Sequence, residues 1–209
     1  MRVTLPPIYP ITDKGLAGRT SHLSILRELV RGGAQLVQIR DKHTPVGVLL
    51  QDLIRCVEFA SSRGVTLIVN DRCDLALSSG ASGVHLGQDD LPPEAARALL
   101  GNRKIIGFST NSLAQIRQSL QLPIQYVGFG PIFPTSTKEN PSPVVGLKSL
   151  KQACKESARP VVAIGGIGLD QVRQVLDAGA ASAAIISGLM TSKSLARQME
   201  ALLKKATER

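Results

Sequence analysis

Aromatic side chains are scarce in this chain: it has no tryptophan, two tyrosines and four phenylalanines in 209 residues. Aliphatic packing must therefore dominate the core. A surface that binds nucleic acid by stacking bases on rings has little to work with. Cysteine is scarce as well. Cys56, Cys73 and Cys154 lie far apart, form no C-x-x-C pair and are odd in number, which argues against a disulfide framework and fits a reducing compartment. No run approaches the roughly 18 apolar residues of a membrane span. The start, Met1-Arg-Val-Thr-Leu-Pro-Pro, lacks the apolar segment of a signal peptide. The expected location is the cytoplasm, with no membrane partner. Linkers and low-complexity stretches are missing too, so residues 1–209 read as one domain.

Acidic residues are outnumbered, 16 Asp+Glu against 25 Lys+Arg, giving a net charge of +9. The basic residues are scattered rather than massed. Nucleic acid is therefore not the expected partner, and anionic small molecules account for local basic residues equally well.

Short apolar runs alternate with longer amphipathic stretches along the whole chain. The strand candidates are Ile8–Ile11, Leu36–Ile39, Leu67–Val69, Gly83–Leu86, Ile105–Phe108, Tyr126–Phe129, Val161–Ile164 and Ala183–Ile186. Runs this short and apolar suit strands covered on both faces, hence a parallel sheet. Helical stripes fill the gaps: Leu23, Leu26, Leu29 and Val30 before Gly32-Gly33; Leu49, Leu50, Leu53, Ile54 and Val57 before Gly64; Pro92-Pro93 to Leu100 before Gly101; Val172, Val175 and Leu176, capped by Asp170, before Gly179; and Leu195, Met199, Leu202 and Leu203. Eight such units predict a single-domain α/β fold, a (β/α)8 TIM barrel of near-minimal size. A doubly wound open sheet is the alternative, disfavoured because no G-x-G-x-x-G follows the first strand.

In a barrel, chemistry gathers where strands end and the loops to the helices begin. At those positions the chain carries Thr12-Asp13, Gln38 with Arg40-Asp41-Lys42, Asn70-Asp71-Arg72, His85 with Gly87-Gln88-Asp89-Asp90, Ser109-Thr110-Asn111, Thr135-Ser136-Thr137-Lys138, Gly165-Gly166 and Ser187-Gly188. Gln38, Arg40 and Lys42 alternate, so they share one face of an extended segment. Arg and Lys there can neutralise a diphosphate, or can simply be solvated. Asp71 and Asp90 end neighbouring strands and can converge on one hard cation, since magnesium takes one or two carboxylates plus phosphate oxygens and water. Alternatively Asp90 caps the next helix, Asp71 pairs with Arg72, or Asp89 replaces Asp90. Gly165-Gly166 and Ser187-Gly188 stand where such barrels bind phosphate, a structural turn being the alternative. His85 reads as a substrate-pocket residue. His22 and His43 read as helix and loop surface, and Cys73 as packing. The Ser-, Thr- and Pro-rich segment from Thr135 to Pro143 is the candidate lid.

Taken together these segments resemble the thiamine-phosphate synthase family over nearly the full length. The matching stretches are Tyr9-Pro-Ile-Thr-Asp13, Gln38-Ile-Arg-Asp-Lys42, Val69-Asn-Asp-Arg72, Gly83-Val-His-Leu-Gly-Gln88 with Asp90, Gly107-Phe-Ser-Thr110, Gly128 through Lys138, Ile164-Gly-Gly-Ile167 and Ile186-Ser187. Each is modest alone; their order and spacing are specific. The resemblance implies an enzyme that joins 4-amino-2-methyl-5-(diphosphooxymethyl)pyrimidine to a thiazole phosphate and releases diphosphate, with one magnesium ion per site. It assigns Gln38, Ile39, Arg40, Asp41, Lys42, Asn70, Ser109 and Lys138 to the pyrimidine diphosphate, with His85 in the same pocket. It assigns Thr135, Ser136, Thr137, Gly166, Ile186 and Ser187 to the thiazole phosphate, and Asp71 and Asp90 to magnesium. The implied reaction is dissociative, with Arg40, Lys42, Lys138 and Ser109 as its catalytic groups and no protein nucleophile. Phe108 and Phe129 stand where the family often has smaller aliphatics, Asp170 where Asn is frequent, and Ser187-Gly188 replaces a common Ser-Ala.

Competing expectations are a thiazole tautomerase on the same fold, a non-catalytic sensor of a phosphorylated ligand, and another phosphate-binding barrel enzyme. The tautomerase relies on a histidine after the fifth strand, where this chain has Ser109-Thr110-Asn111-Ser112. A sensor should have lost Lys138, Asp71 or Asp90. Homo-oligomerisation is left open by the sequence.

Overall fold

The computed structural model describes residues 3–135, 137 and 142–208. Parallel strands β1 (Ile8–Pro10), β2 (Leu36–Ile39), β3 (Thr66–Asn70), β4 (Gly83–Leu86), β5 (Ile105–Thr110), β6 (Tyr126–Phe129), β7 (Val161–Ile164) and β8 (Ser182–Ile185) pair in the order β1-β8-β7-β6-β5-β4-β3-β2. The seam between the two ends of this order is short. Ile11 bridges Gln38 in parallel, and the Thr12 N–H donates to the Gln38 carbonyl at 2.9 Å. The sheet thus curls into the barrel that the alternating pattern predicts, and the open-sheet alternative falls away.

Helices α1 (Lys14–Ala17), α2 (His22–Arg31), α3 (Val46–Ser61), α4 (Cys73–Ser79), α5 (Pro93–Leu100), α6 (Leu113–Gln118), α7 (Gly146–Glu156), α8 (Leu169–Asp177), α9 (Ser187–Met190) and α10 (Leu195–Thr207) surround it. The capping chemistry is local. Ser21 Oγ accepts from the Ser24 N–H at 3.3 Å to open α2, and Asp13 Oδ1 accepts from the Leu16 N–H at 3.0 Å to open α1. Asp170 does not cap α8: Gly168 holds that position, and Gln171 Oε1 accepts from its N–H at 3.1 Å. Asp170 sits one position inside the first turn, where a negative charge still suits the helix dipole. Helices α1 and α9 are single turns, too short for a periodic stripe to reveal.

Strand alternation sorts the side chains into two layers. Outward-facing residues such as Val37, Ile39, Val69, Val84, Val127 and Ala163 pack under the helices against Leu26, Leu29, Leu53, Val172 and Met199. Inward-facing Tyr9, Ile11, Leu36, Ile68, Ile105, Tyr126, Val162 and Ala184 fill the barrel. This plug fills the barrel from below and leaves an open space above it, at the strands' C-terminal ends. No helix among the described residues is long and apolar enough to cross a membrane.

Candidate active site

Above the plug lies a cavity of about 360 Å³. The expected residues on its wall are Lys42, Asp71, Asp90, Ser109, Thr135, Thr137, Gly166, Ile186 and Ser187. They come from the ends of seven strands, β2 to β8, which explains why no single sequence motif reads as a site. Thr110 and Asn111, which stand among the strand-end groups, Ser142, which lies in the candidate lid, and Gly130 line the same wall, though none was matched to a ligand from sequence. Their signal was position alone. Asn111 Nδ2 donates to Ser142 Oγ at 3.0 Å, tying the end of β5 to the far end of the segment read as a lid. Ser136 and Lys138, and most of that segment, lie outside the described residues.

One end of the cavity is acidic, with the Lys42 ammonium as the one cation on its wall among the described residues. Asp71 takes a left-handed backbone conformation, φ 62°, which is uncommon outside glycine and costs free energy. Its N–H donates to the His85 carbonyl at 2.8 Å, which holds the turn. Burial, and then the Asp90 carboxyl that it meets, push the Asp71 carboxyl up to about 6, against the pull of Lys42 and Arg40. Lys42 Nζ stands 3.7 Å from Asp71 Oδ2. Asp90 is not a helix cap, because Pro92 precedes α5 and Asp90 Oδ2 instead accepts from the Gly87 N–H at 2.6 Å. Nor does Asp71 pair with Arg72, whose guanidinium grips Asp74. Asp89 also faces the cavity. Among the described residues no group of three or more His, Cys, Asp and Glu converges as a cation site. Two abutting carboxyls whose charges repel form a hard oxygen donor pair, which fits magnesium completed by substrate phosphate and water.

The end of β2 behaves differently from a simple ligand strip. Gln38 points into the barrel, and Ile39, on the opposite face, is buried under the helices, so its side chain cannot meet a ligand in the cavity. Arg40 does not reach the cavity wall: its Nη1 donates to Asp13 Oδ2 at 3.1 Å. Asp41 turns away as well. Its carboxylate, 5% exposed, accepts from Lys14 Nζ at 3.0 Å, Thr44 Oγ1 at 2.7 Å and the N–H groups of His43 and Thr44. Burial pushes the Asp41 carboxyl up, but these hydrogen bonds outweigh it and hold the group well below the usual carboxylate range. The third side chain on Asp41 is His22, through Nε2 at 3.0 Å, while Nδ1 meets Thr12 Oγ1 at 2.8 Å. The surface reading of His22 is thus wrong. It opens α2 but is 1% exposed, because this first turn faces the β2 loop rather than solvent. Burial lowers its pKa despite Asp41. Asp41 is therefore part of a clamp that shapes the loop carrying Arg40 and Lys42, not a contact with the cavity. Asn70 stays in the inward register of β3, level with His85, and is not on the cavity wall.

Beneath the cavity runs a hydrogen-bonded floor. Gln38 Nε2 donates to the Tyr9 hydroxyl at 3.0 Å, the Tyr9 and Tyr126 hydroxyls meet at 2.7 Å, Tyr126 meets His85 Nδ1 at 3.0 Å, and His85 Nε2 meets Ser109 Oγ at 2.9 Å. The two tyrosines were read only as strand residues. Their inward register with Gln38 and His85 was the available signal. Small residues make room: a Cβ on Gly107 would lie 2.1 Å from Tyr126 Cζ, and one on Gly128 3.2 Å from His85 Cε1. Gly107→Ala is expected to displace the Tyr126 ring and destabilise the protein by about 1–3 kcal/mol, the usual range for overpacking, measured by urea unfolding. A loss below about 0.5 kcal/mol would show that the ring has slack.

Across the cavity is a cradle of hydroxyls and glycine backbone. Thr137 Oγ1 reaches Ser187 Oγ at 3.5 Å, and the Thr137 N–H donates to Thr135 Oγ1 at 3.4 Å. Gly166 has φ 64°, and a Cβ there would lie 2.4 Å from the Pro134 carbonyl oxygen, so glycine alone allows the β6 and β7 loops to touch.

A family model described as thiamine monophosphate synthase matches residues 8–189. A thiamine-phosphate synthase of Koribacter versatilis is 42% identical over 89% of this chain and 90% of its own. One of Chloroflexus aurantiacus is 37% identical over 97% of this chain and 94% of its own. A solved thiamine phosphate pyrophosphorylase of Pyrococcus furiosus superposes with a TM-score of 0.87 at 33% identity, covering 95% of this chain and 94% of that one.

Proposed function

The chain belongs to the thiamine monophosphate synthase family, and from that premise we propose that it is a transferase making thiamine phosphate. The thiazole nitrogen of 4-methyl-5-(2-phosphooxyethyl)thiazole forms a bond to the exocyclic carbon of 4-amino-2-methyl-5-(diphosphooxymethyl)pyrimidine. The C–O bond to diphosphate breaks, and diphosphate leaves with the bonding electron pair. The observation that carries this reading is the polarity of the cavity. Lys42 and the Asp71–Asp90 pair stand at one end, and the Thr135–Thr137–Ser187 hydroxyls with Gly166 at the other. A diphosphate and a monophosphate each find a matching end.

No protein nucleophile is needed if the diphosphate leaves before the thiazole attacks. What the enzyme must supply is stabilisation of charge on the leaving group, with the two substrates held in line. Lys42, on the cavity wall beside Asp71, would take that role. Arg40 joins it once its guanidinium exchanges Asp13 for phosphate, and Lys138 is assigned to the same charge by its place in the Thr-Ser-Thr-Lys run. Magnesium, held by Asp71 and Asp90, would neutralise part of the diphosphate charge. Ser109 and Gln38 flank the pyrimidine side. Thr135, Ser136, Thr137, Gly166, Ile186 and Ser187 take the thiazole phosphate.

The test is direct. Purified protein with both substrates and magnesium should form thiamine phosphate and diphosphate in equal amounts, followed by chromatography and a coupled diphosphate assay. Folded protein that binds either substrate without forming product would refute the transferase reading. Isomerisation of a thiazole carboxylate phosphate would replace it with a tautomerase.

A further inference from the structure

We propose that the buried chain Gln38–Tyr9–Tyr126–His85 sets the proton order at Ser109, so that its hydroxyl is presented to the cavity as a donor before any ligand binds. Tyr9, Tyr126 and His85 are thereby positioning residues for the substrate atom that Ser109 meets.

Each link of the chain has one proton to give, and the donors fix its direction. The Gln38 Nε2 can only donate, and it donates to the Tyr9 oxygen. Tyr9 is almost wholly buried, and its own proton has the Tyr126 oxygen 2.7 Å away to receive it. Tyr126 is 0% exposed and, having accepted from Tyr9, passes its single proton to His85 Nδ1. A ring nitrogen that accepts carries no proton, so the neutral imidazole bears its hydrogen on Nε2 and donates to Ser109 Oγ. The Ser109 oxygen is then an acceptor toward His85, and its own proton faces the cavity that Ser109 lines. Burial independently raises both phenols above their ordinary range, so each holds one proton at neutral pH.

The geometry leaves little freedom to rearrange. The Tyr9 and Tyr126 rings meet edge-on with centroids 5.9 Å apart, and His85 stacks on Tyr126 at 5.5 Å. Gly107 and Gly128 give both rings their places. A donor fixed in advance needs no reorganisation when charge or a lone pair arrives, which is where electrostatic preorganisation gains over water. The matching ligand atom is an acceptor with no proton of its own: a phosphate oxygen or a ring nitrogen of the pyrimidine substrate. That last assignment rests on the proposed function; the proton order does not.

The experiment is nitrogen-15 correlation spectroscopy of the imidazoles in the full-length, substrate-free protein at pH 7.5, with the His85 signals assigned by their loss in His85→Gln. The expected result is the neutral tautomer protonated on Nε2. A tautomer protonated on Nδ1 would mean that the Gln38 amide faces the other way and the whole order runs backwards, and an imidazolium would equally overturn the proposal. Tyr126→Phe keeps the ring beside Gly107 and removes the donor to Nδ1. It should bring in the second tautomer and raise KM for the pyrimidine diphosphate about tenfold, the scale of one hydrogen bond to a charged group, leaving KM for the thiazole phosphate unchanged. An unchanged tautomer with unchanged KM values in that variant would also overturn it. If Tyr126→Phe does not fold, the wild-type tautomer alone decides. An Nε2 proton in a protein that makes no thiamine phosphate supports the proton order and refutes only the assigned reaction.

Discussion

Asp71→Asn is expected to slow product formation by about 10²–10³-fold, the scale of losing one electrostatic contact to a developing charge, and at the same time to make the metal-free protein more stable. Both halves have one cause. The Asp71 carboxyl is buried against Asp90, with its pKa pushed up to about 6, so at neutral pH it is ionised where ionisation is unfavourable. A carboxyl raised in the folded state contributes stability that is complete below its unfolded pKa of about 4 and is lost as pH rises through about 6. Metal-free wild type should therefore lose stability across that window on Asp71's account, and the asparagine variant should not. With solvent screening the gain at pH 7.5 is on the order of 1 kcal/mol, or about 2–4 °C in Tm for a chain of this size. Magnesium should raise the Tm of wild type and leave that of the variant unmoved. Lys138→Ala serves as the companion, since its proposed role concerns the same leaving group. Turnover within threefold of wild type for Asp71→Asn, or a metal-free variant less stable than wild type, would show that this carboxylate is not held for a cation.

The second large effect lies outside the cavity. Asp41→Ala is expected to cost about 3–5 kcal/mol, as removal of one partner from a buried charged pair does. It strips His22, Lys14 and Thr44 of a common acceptor. At about 2–4 °C per kcal/mol the fall in Tm is easily measured. Asp41→Asn, which can still accept from the His43 and Thr44 N–H groups, should recover part of it. The pH dependence has a definite sign. Asp41 is held below its ordinary range, so the stability it contributes is present above about pH 4 and lost as pH falls further. Burial keeps His22 neutral while the unfolded chain takes up a proton near pH 6.5, so His22 adds a loss that begins as pH falls through that value. Thermal melts between pH 2 and 4, where the unfolded Asp41 takes up its proton and the folded one does not, should show a steeper acid limb in wild type than in Asp41→Ala. KM for the pyrimidine diphosphate should rise in the alanine variant, because Lys42 is the next residue along the clamped loop. A loss below about 1 kcal/mol would mean that the loop holds its shape without the clamp.

These two sites also mark where sequence reasoning reaches and where it stops. The strand and helix order was legible because local hydrophobic period and glycine punctuation are short-range properties. Leu36–Ile39 and Gly83–Leu86 form strands with the ends expected for them. That Asp71, Asp90, Ser109 and Gly166 would line one cavity was legible for a topological reason: a barrel brings the C-terminal ends of its strands together, so position along a strand is already position in space. Direction and pairing were not legible. Arg40, Asp41 and Lys42 are consecutive, yet one pairs with Asp13, one closes a clamp with His22, and one pairs with Asp71 at the end of the cavity. Those outcomes depend on α1 and the first turn of α2, each too short to carry a periodic signal. His22 looks like a surface residue because its stripe is set by Leu26 and Leu29, and only the packing of α2 against the β2 loop buries its first turn. Tyr9 and Tyr126 are 117 positions apart, and their hydroxyls meet only because the barrel closes between β1 and β2. What the sequence determined by itself is which residues stand at the ends of which strands, since that follows from local pattern. Which side chains meet, and which way their protons point, was decided by closure of the sheet, which converts distant registers into contact.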